Sequence, residues 1–326
     1  MRRSRIGVIG AGAVGMRHAQ TLLGFEDVQV VAVADPAPER RAALAVICEA
    51  RSYEGYESML QSEELDAIYI CVPPFAHGAV EMAIISAGIP FFVEKPLALD
   101  AATATVIAEA VREAGLITAT GYHLRCLDTF DRALAMVRTT PAQLVVGLWL
   151  DKVPPAAWWT QLQGSGGQVV EQATHVLDLA RALVGEVEQV YGLGARIARP
   201  EWPTADVDDV SSATLRFMSG AVGSLSCTSL LRSKHTTALH LYGDGLAIHF
   251  SDGDLTIDEG GGPATIFPTV DPKVRVDRDF IDAVQGEPNR IRVPYADAVK
   301  SHLLACAVAR SAHEGRPIQV NELSVL

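Results

Sequence analysis

The sequence predicts an α/β protein in which a doubly wound parallel sheet precedes an α/β domain with a large open, mostly antiparallel sheet. Three observations support this prediction. The chain has 326 residues, which is long for a single hydrophobic core. Short apolar runs alternate with helical patterns up to residue 120, and strand patterns dominate from residue 142 onward. We place the domain boundary after residue 121, which gives domains 1–121 and 122–326.

The first domain opens with a strand, a glycine-rich turn and a helix. The pattern at Ile6–Ile9 is that of a short buried strand, the hexapeptide Gly10–Gly15 follows at once, and a helix is predicted over 13–23. A second strand, Val28–Ala34, is followed directly by Asp35. A GxGxxG turn between a strand and a helix, with an acid after the next strand, predicts a dinucleotide-binding Rossmann domain.

Each part of this turn has a predicted role toward a dinucleotide. Gly10 permits the tight turn, Gly12 lets the backbone approach a pyrophosphate, and Gly15 lets the helix pack closely on the strand. The helix amino terminus, at Ala13 and Val14, offers N–H groups and the positive end of its dipole to the phosphates.

The acid after the second strand predicts which dinucleotide is bound. Asp35 can accept hydrogen bonds from both hydroxyls of the adenosine ribose and would repel a 2′-phosphate, so NAD is the predicted cofactor and NADP is disfavoured. Arg40 and the neighbouring Arg41 could weaken that preference. The alternative is that both are ordinary exposed charges of a helix.

The alternation of strands and helices continues to residue 120. The predicted elements are a strand over 66–72, a helix over 75–87, a strand over 91–93, a helix over 101–114 and a strand over 116–120. Such alternation implies a parallel sheet, whose ligands bind at the carboxyl ends of the strands.

Several side chains at those strand ends are candidate cofactor contacts. Pro73 ends one strand, and His77, in the first turn of the next helix, contacts the nicotinamide half of the cofactor or caps its own helix. Glu94 and Lys95 follow a buried strand, where a lysine is costly to desolvate unless it is paired. Pro96 restricts Lys95 to an extended backbone. This position predicts that Lys95 faces the cofactor crevice instead of belonging to a surface loop.

The second domain is dominated by strand patterns with glycine- and aspartate-rich connections, which favour an open, largely antiparallel sheet. Strands are predicted over 142–152, 187–198, 208–218, 221–230, 236–250 and 254–258, and helices over 128–138, 275–285 and 296–314.

A further predicted helix, over 166–184, interrupts the strands and carries ionisable side chains. Glu171, His175 and Asp178 stand at i, i+4 and i+7 and so form one polar stripe on an apolar helix. A histidine one turn from a carboxylate is a candidate proton-transfer group, and a purely structural histidine is the alternative. A metal site is the weaker interpretation because a fourth ligand is lacking, so no metal is predicted.

Candidate substrate contacts lie in loops that are expected to border the cleft. They are Tyr122, His123, Arg125, Trp158 and Trp159. Apolar sugar faces stack well on tryptophan, and an arginine can bind a carboxylate. The alternative for the tryptophans is packing in the core or at a subunit interface, and for Arg125 it is a structural salt bridge.

Composition limits the classes of partner and compartment. The formal net charge of −12 argues against a nucleic-acid partner. The five cysteines are scattered without CxxC spacing, which indicates buried thiols in a reducing compartment. Glycines interrupt the first apolar stretch, so it is not interpreted as a signal peptide, and no segment approaches the roughly 20 apolar residues of a membrane span. We therefore predict a cytoplasmic protein with no membrane partner.

In combination these motifs resemble the Gfo/Idh/MocA family, of the glucose–fructose oxidoreductase and inositol dehydrogenase type. The resemblance rests on the amino-terminal GxGxxG, the Glu94-Lys95-Pro96 turn, Gly121 followed by Arg125, and an acid four residues before His175. It spans essentially the whole chain. It implies a Rossmann domain and an α/β domain whose open sheet mediates formation of a homodimer or homotetramer.

The resemblance also implies a reaction centre of Lys95, His175 and Glu171. The implied reaction is reversible hydride transfer between NAD and a secondary alcohol or ketone of a sugar, cyclitol or sugar-derived acid. His175 accepts the hydroxyl proton, Lys95 donates a hydrogen bond to the same oxygen, and Glu171 orients His175 or holds a neighbouring hydroxyl. The family often has aspartate at the position of Glu171, and this departure argues for a subgroup apart from the inositol dehydrogenases.

Two other functions stay open at this point. Some glycosidases resemble this family and use tightly held NAD for a transient oxidation followed by elimination and hydration. The second alternative is a non-enzymatic dinucleotide sensor that regulates a partner. The presence of both Lys95 and His175 argues against the sensor, which needs neither group.

Overall fold

The structure is a computed structural model that describes residues 2–323, and these form two compact units. The first unit comprises the chain up to Ala98, Thr103–His123 and Pro272–Ala298, and the second comprises Leu99–Ala102, Leu124–Asp271 and the chain from Val299 onward. The predicted boundary after residue 121 differs from this division, because the segment Pro272–Ala298 returns to the first unit.

Fifteen strands are present in the described residues. In chain order they are β1 Ser4–Ile9, β2 Val28–Ala34, β3 Arg51–Tyr53, β4 Ala67–Ile70, β5 Phe91–Val93, β6 Thr118–Thr120, β7 Leu144–Leu150, β8 Val187–Ala195, β9 Val210–Phe217, β10 Val222–Thr228, β11 Thr236–Gly243, β12 Leu246–Ser251, β13 Leu255–Asp258, β14 Ala264–Ile266 and β15 Ile318–Gln319.

Ten α-helices accompany these strands within residues 2–323. They are α1 Ala13–Leu23, α2 Pro38–Cys48, α3 Tyr56–Ser62, α4 Ala79–Ser86, α5 Ala101–Ala114, α6 Asp128–Thr139, α7 Leu162–Ser165, α8 Thr174–Val184, α9 Pro272–Val284 and α10 Tyr295–Glu314. No helix in the described part of the chain has the length and apolar character that crossing a membrane requires.

The first unit is built on a six-stranded parallel sheet with the strand order β3-β2-β1-β4-β5-β6. Its core contains an aromatic cluster. Phe92 of β5 stacks on Tyr69 of β4 with ring centroids 4.9 Å apart, and Phe280 of α9 meets both rings edge-on at 5.5 and 5.9 Å. This packing is the physical reason that α9, far along the chain, belongs to the first unit. The predicted doubly wound parallel sheet is confirmed.

The second unit contains a nine-stranded sheet with the order β14-β13-β12-β11-β7-β10-β9-β8-β15. Every neighbouring pair is antiparallel except β7 and β10. Helix α8 packs against β7 and β11, and alternate residues of the central strands, such as Val145, Leu225 and Leu239, are buried. The predicted open, mostly antiparallel sheet is therefore confirmed. The range 236–250, predicted as strand, is a hairpin of β11 and β12.

Candidate active site

The glycine-rich turn has the geometry that close packing of β1 and α1 demands. Gly10 has a φ of +95°, and a Cβ there would lie 2.3 Å from the backbone oxygen of Cys71. At Gly15 a Cβ would lie 1.9 Å from the carbonyl oxygen of Gly10. At Gly12, which caps α1, a Cβ would meet no heavy atom within 4 Å. Packing therefore requires Gly10 and Gly15, whereas Gly12 leaves its space open to an approaching ligand.

The side chain of Asp35 holds this turn against the end of β2. Its buried carboxylate accepts hydrogen bonds from the backbone N–H groups of Ala11 and Ala37, both at 2.7 Å. Each oxygen keeps a further lone pair that can accept from a ribose hydroxyl. Arg41 donates to the backbone oxygen of Asp35 at 3.2 Å, whereas Arg40 is exposed. The exposed first residues of α1, like the open space at Gly12, leave room for a phosphate group.

His77 lies between two helical segments, so the predicted helix over 75–87 is wrong at its start. A 3₁₀ turn spans Pro74–Ala76, with Pro73 as its amino-terminal cap, and α4 begins only at Ala79. Gly78 interrupts them with a φ of +115°. The Nδ1 atom of His77 lies 2.5 Å from Oε1 of Glu81, and both side chains are buried. A glycine at a positive φ angle cannot be part of an α-helix, so the helix does not extend back to residue 75.

Glu94 is the centre of a buried charge cluster. Its Oε1 accepts from the guanidinium of Arg17 at 2.8 Å and lies 2.9 Å from Nε2 of His18, and its Oε2 accepts from the backbone N–H of Lys95 at 3.1 Å. Burial opposes its ionisation, but His18, Arg17 and Lys95 outweigh burial and lower the pKa of Glu94 to about 2. A Cβ at Gly121 would lie 2.3 Å from Oε2, so the carboxylate occupies space that only glycine leaves.

His18 is a member of this cluster that has no partner pattern in the sequence. Its ring is fully buried, with Nδ1 2.7 Å from Oδ1 of Asp277, a residue 259 positions away. The rings of Tyr69 and Phe92 lie 5.2 and 4.8 Å from it, centroid to centroid. Only the packing of α9 on the parallel sheet creates this contact, so no local motif could have revealed it.

Lys95 is half-buried and follows directly after β5, and its peptide bond to Pro96 is cis. Strands β1, β4 and β5 are neighbours in the parallel sheet. Their carboxyl ends carry, in turn, the glycine-rich turn, Pro73 and the Glu94-Lys95 pair. The first unit thus brings these predicted cofactor contacts to one edge of the sheet, where α/β sheets bind their ligands.

Tyr122 and His123 follow β6 at the same edge. Tyr122 is 1% exposed, and the Nδ1 atom of His123 lies 3.3 Å from the carbonyl oxygen of Gly121. Burial lowers the pKa of His123 to about 4, so its imidazole is neutral near pH 7. A neutral imidazole here can donate or accept a hydrogen bond, but it adds no charge to the cluster around Glu94.

In the second unit the predicted helix over 166–184 is not one regular helix. Gly166 and Gly167 have φ angles of +74° and +87°, Val169–Ala173 is a π-helix, and α8 begins only at Thr174. A π-turn rotates residues away from regular α-helical spacing, and such turns often occur at functional sites. The prediction of one α-helical polar stripe from Glu171 to Asp178 is therefore wrong.

His175 and Glu171 each have an aromatic neighbour in the second unit. His175 is 6% exposed, and its ring stacks on Trp149 of β7, with centroids 5.7 Å apart and planes 13° from parallel. Lys234 holds its ammonium group 5.7 Å from the centre of the same indole. Glu171 accepts a hydrogen bond from the indole N–H of Trp159 at 2.8 Å. Trp149 was not evident from sequence, because a tryptophan in an alternating strand looks like an ordinary core residue.

Arg125 and Asp178 form a buried, bidentate ion pair in the second unit. The Arg125 Nε and Nη2 atoms donate to Asp178 at 2.7 and 2.5 Å, and the hydroxyl of Ser301 donates to the same carboxylate at 2.6 Å. Burial raises the pKa of Asp178 against the opposing effect of Arg125. This geometry supports the structural interpretation of Arg125 that the sequence left open beside substrate binding.

The two predicted substrate tryptophans differ in exposure. Trp158 is half-buried, whereas Trp159 is 1% exposed. Trp159 also lines a cavity of about 600 Å³ together with Arg199 and Trp202. Trp159 therefore lines a candidate binding cavity and also donates a hydrogen bond to Glu171 of the π-helix.

Comparison with known proteins places both units in one family. Residues 4–122 match the model of an oxidoreductase family with an NAD-binding Rossmann fold, GFO_IDH_MocA. Residues 141–253 match the GFO/IDH/MocA C-terminal domain. The chain belongs to the Gfo/Idh/MocA family. The predicted family and the predicted NAD-binding domain are both confirmed.

Curated relatives of this Gfo/Idh/MocA protein include inositol dehydrogenases. Myo-inositol 2-dehydrogenase of Thermotoga maritima is 29% identical over 228 residues, which cover 67% of this chain and 66% of that protein. Inositol 2-dehydrogenase of Rhizobium meliloti is 30% identical over 188 residues, covering 56% and 55%. The chain thus aligns with less than two thirds of the length of each of these relatives.

A solved structure of levoglucosan dehydrogenase in complex with NADH and L-sorbose shows the same fold. It superposes with a TM-score of 0.88 at 22% sequence identity, covering 98% of this chain and 99% of that one. NAD as cofactor and the enzyme class of an NAD-dependent dehydrogenase, both predicted from sequence, agree with the family and with these named relatives. The open space at Gly12 and the free lone pairs of Asp35 fit a bound NAD in this chain.

Alanine substitutions at two glycines separate packing from cofactor binding. Gly12→Ala is expected to weaken NAD binding at least about tenfold and to shift Tm by no more than about 2 °C, because its Cβ enters only the open space. Gly15→Ala is expected to lower Tm by several times more, because its Cβ meets the Gly10 carbonyl at 1.9 Å. Thermal denaturation and NAD titration by calorimetry measure the two effects. Equal changes in Tm for both variants would contradict the assignment.

Proposed function

We propose that this protein is an NAD-dependent dehydrogenase that interconverts a secondary alcohol and a ketone of a sugar, cyclitol or sugar-derived acid. The observation that carries the proposal is Lys95, a half-buried lysine at the carboxyl end of β5 in a Rossmann domain, held by the buried Glu94. A lysine without a functional role would be more stable in a surface loop, where its ammonium group stays hydrated and no desolvation free energy is lost. Bound NAD would supply the hydride acceptor.

Lys95 is proposed to act on the oxygen of the reacting carbon. In the oxidative direction its ammonium group donates a hydrogen bond to the substrate hydroxyl and stabilises the negative charge that develops there. Glu94 is not proposed as the base that accepts the hydroxyl proton, because its carboxylate is already held by Arg17 and His18 at 2.8 and 2.9 Å. Its role in the proposal is to fix the turn that carries the lysine.

His175 is proposed as the general base that receives the hydroxyl proton. The imidazole of this buried residue stacks on Trp149 and so has little freedom to rotate, which suits a group that must meet one oxygen. Glu171, which accepts a hydrogen bond from the indole N–H of Trp159, is proposed to orient His175 or to hold a neighbouring substrate hydroxyl. We retain Tyr122, His123, Trp158 and Trp159 as proposed substrate contacts, whereas Arg125 is assigned a structural role through its ion pair with Asp178.

The substrate class is supported by the relatives and by the aromatic side chains of the second unit. The named relatives act on inositols, and one structural neighbour was solved with L-sorbose. The carbon–hydrogen face of a polyol packs favourably on an indole, and the half-buried Trp158 presents part of one. A homodimer or homotetramer formed through the open sheet and a cytoplasmic location remain predictions.

Assays of NADH absorbance over a panel of polyols and keto sugars test the proposal. Myo-inositol, scyllo-inositol, levoglucosan, L-sorbose, glucose and glucuronate are supplied with NAD or with NADP, in both directions where the ketone is stable. Turnover with at least one member is expected, with NAD preferred because the Asp35 carboxylate repels a 2′-phosphate. Absence of hydride transfer to or from every member would contradict the proposal.

The same preparation distinguishes the two alternatives. A glycosidase would retain NAD through purification, hydrolyse an aryl glycoside and accumulate no NADH. A non-enzymatic sensor would bind NAD but would not exchange labelled hydride with any polyol-derived ketone. Each outcome replaces the dehydrogenase proposal with a different function.

A further inference from the structure

The imidazole of His18 lies between two buried carboxylates. Nδ1 is 2.7 Å from Oδ1 of Asp277, and Nε2 is 2.9 Å from Oε1 of Glu94. The ring itself is 0% exposed, and the side chains of Glu94 and Asp277 are 10% and 1% exposed. Water therefore contributes little to the solvation of either carboxylate, and the protein groups around them must do so.

This arrangement favours a doubly protonated ring. Arg17 Nη2 lies 2.9 Å from Nε2 and 2.8 Å from Oε1 of Glu94, so a neutral ring could instead accept from Arg17. That neutral form would leave two buried carboxylates with one guanidinium and would set Nε2 against a carboxylate oxygen. The imidazolium donates to both carboxylates and balances two negative charges with two positive ones. Burial lowers the pKa of His18, but Asp277 and Glu94 outweigh burial and raise it.

We propose that His18 is a positioning residue whose imidazolium fastens the turn carrying Lys95 to the helix that follows the glycine-rich turn. The bridge joins three segments of the first unit: His18 belongs to α1, Glu94 follows β5, and Asp277 belongs to α9. The same Glu94 carboxylate accepts the backbone N–H of Lys95 at 3.1 Å. The inference rests on the proposed function only in treating Lys95 as catalytic.

The bridge sets the position of the lysine relative to the NAD-binding turn. Helix α1 begins at the glycine-rich turn, and His18 stands on its second turn. The Glu94 carboxylate contacts side chains of α1 and the backbone N–H of Lys95, so it fixes Lys95 relative to α1. Loss of the imidazolium charge would leave Arg17 as the cation of α1 that holds Glu94 and would break the link to α9, so that Lys95 would be held less firmly while the turn that binds NAD is kept.

The other titratable groups around His18 do not replace its charge. Tyr69, on β4, and Cys71, just after that strand, are buried, and burial raises the pKa of each well above its ordinary value, so both are neutral. His123, which faces Glu94 from the segment after β6, is neutral near pH 7 because burial lowers its pKa to about 4. Arg278 of α9 bonds Asp27 at 2.9 Å. Among the described residues, His18, Arg17 and Lys95 are the cations that lower the pKa of Glu94, and His18 and Arg17 are those that act in the same sense on Asp277.

Asp277→Asn tests the proposal through the pH dependence of kcat. Asp277 is the strongest of the partners that raise the pKa of His18, so its neutralisation lowers that pKa, and the imidazolium is lost at a lower pH than in the wild type. Because the protonated ring is the form that holds the turn, kcat is expected to fall on the alkaline side at least about 1 pH unit earlier in the variant. The NMR titration of the His18 ring is expected to show its proton lost over the same pH range.

Two further variants serve as partner and control. His18→Gln keeps hydrogen-bonding capacity but no charge, and it is expected to lower kcat about 10- to 100-fold while the Kd for NAD stays within about threefold. Tyr69→Phe removes only a buried hydroxyl with no partner among the described residues, and it is expected to leave kcat and its pH profile unchanged.

Three outcomes overturn the proposal. They are a wild-type His18 ring that titrates near its ordinary pKa, an Asp277→Asn profile that superimposes on that of the wild type, and an unchanged kcat in His18→Gln. Failure of the proposed function looks different. In that case no member of the polyol panel reacts with the wild type, while the NMR titration of the wild-type ring still decides whether His18 is an imidazolium.

Discussion

Replacement of Lys95 by methionine is expected to lower kcat by about 10²- to 10⁴-fold while NAD still binds. Methionine preserves much of the length and the apolar stem of the side chain but removes the ammonium group that would stabilise the developing negative charge. The loss corresponds to about 3 to 5 kcal/mol of transition-state stabilisation. Steady-state kinetics with the best substrate of the panel, and calorimetric titration with NAD, measure the two quantities separately.

Lys300→Met is the matched control for this variant. Lys300 is a half-exposed lysine on α10 whose ammonium group lies 3.7 Å from Glu186, and a surface pair of this kind contributes little to stability. Its replacement is expected to leave kcat unchanged. Full activity of Lys95→Met, or an equal loss in both variants, would remove Lys95 from the reaction centre.

Replacement of His175 by alanine is expected to cost a similar 10²- to 10⁴-fold in kcat, about as large an effect as that at Lys95. The substitution removes the proposed general base and leaves a space beside the indole of Trp149, whose centroid lies 5.7 Å from that of the imidazole. Because this space has the shape of the lost ring, added imidazole is expected to restore part of the activity. The rescue is measured as kcat against imidazole concentration at several pH values.

His313→Ala provides the corresponding control, because His313 is an exposed histidine near the end of α10. Neither the loss of activity nor the response to imidazole is expected in that variant. An inactive His175→Ala that binds NAD normally but gains nothing from imidazole would favour a structural role for His175. An active His175→Ala would exclude the role of base altogether.

Much of the first unit could be predicted from local patterns. The strand at Val28–Ala34 and the helix Ala13–Leu23 have the bounds that the pattern predicts, because apolar runs, glycines and the helix period act over a few residues. The order of motifs was enough to identify the family, which the matches over residues 4–122 and 141–253 confirm.

Local patterns failed where a few residues adopt an unusual backbone. Gly78, with a φ of +115°, delays the helix after His77, and the π-helix Val169–Ala173 displaces Glu171 from the face that regular spacing predicts. The apolar periodicity of a helix does not reveal such a break, since the same periodicity continues on both sides of it. These two departures lie at predicted site residues, where locally unfavourable geometry is expected to concentrate.

Contacts between distant segments were beyond the reach of any local pattern. The partner of His18 is 259 residues away on a helix that the sequence places in the other domain. The stacking of Trp149 on His175 depends on how α8 lies across β7. Whether a lone histidine is structural or functional is decided by such neighbours, because burial and nearby charge set its protonation state.

The sequence by itself determined the fold class, the dinucleotide turn and NAD as cofactor, and it supplied the candidate residues Lys95 and His175. These follow from short-range chemistry, since a glycine-rich turn or a Glu-Lys-Pro turn carries its meaning within a few residues. Only the tertiary structure decided what holds those residues. It buried Glu94 between Arg17 and His18, paired Arg125 with Asp178, and bonded Glu171 to Trp159. The physical reason is that charge balance in a buried cluster depends on all the segments that meet there.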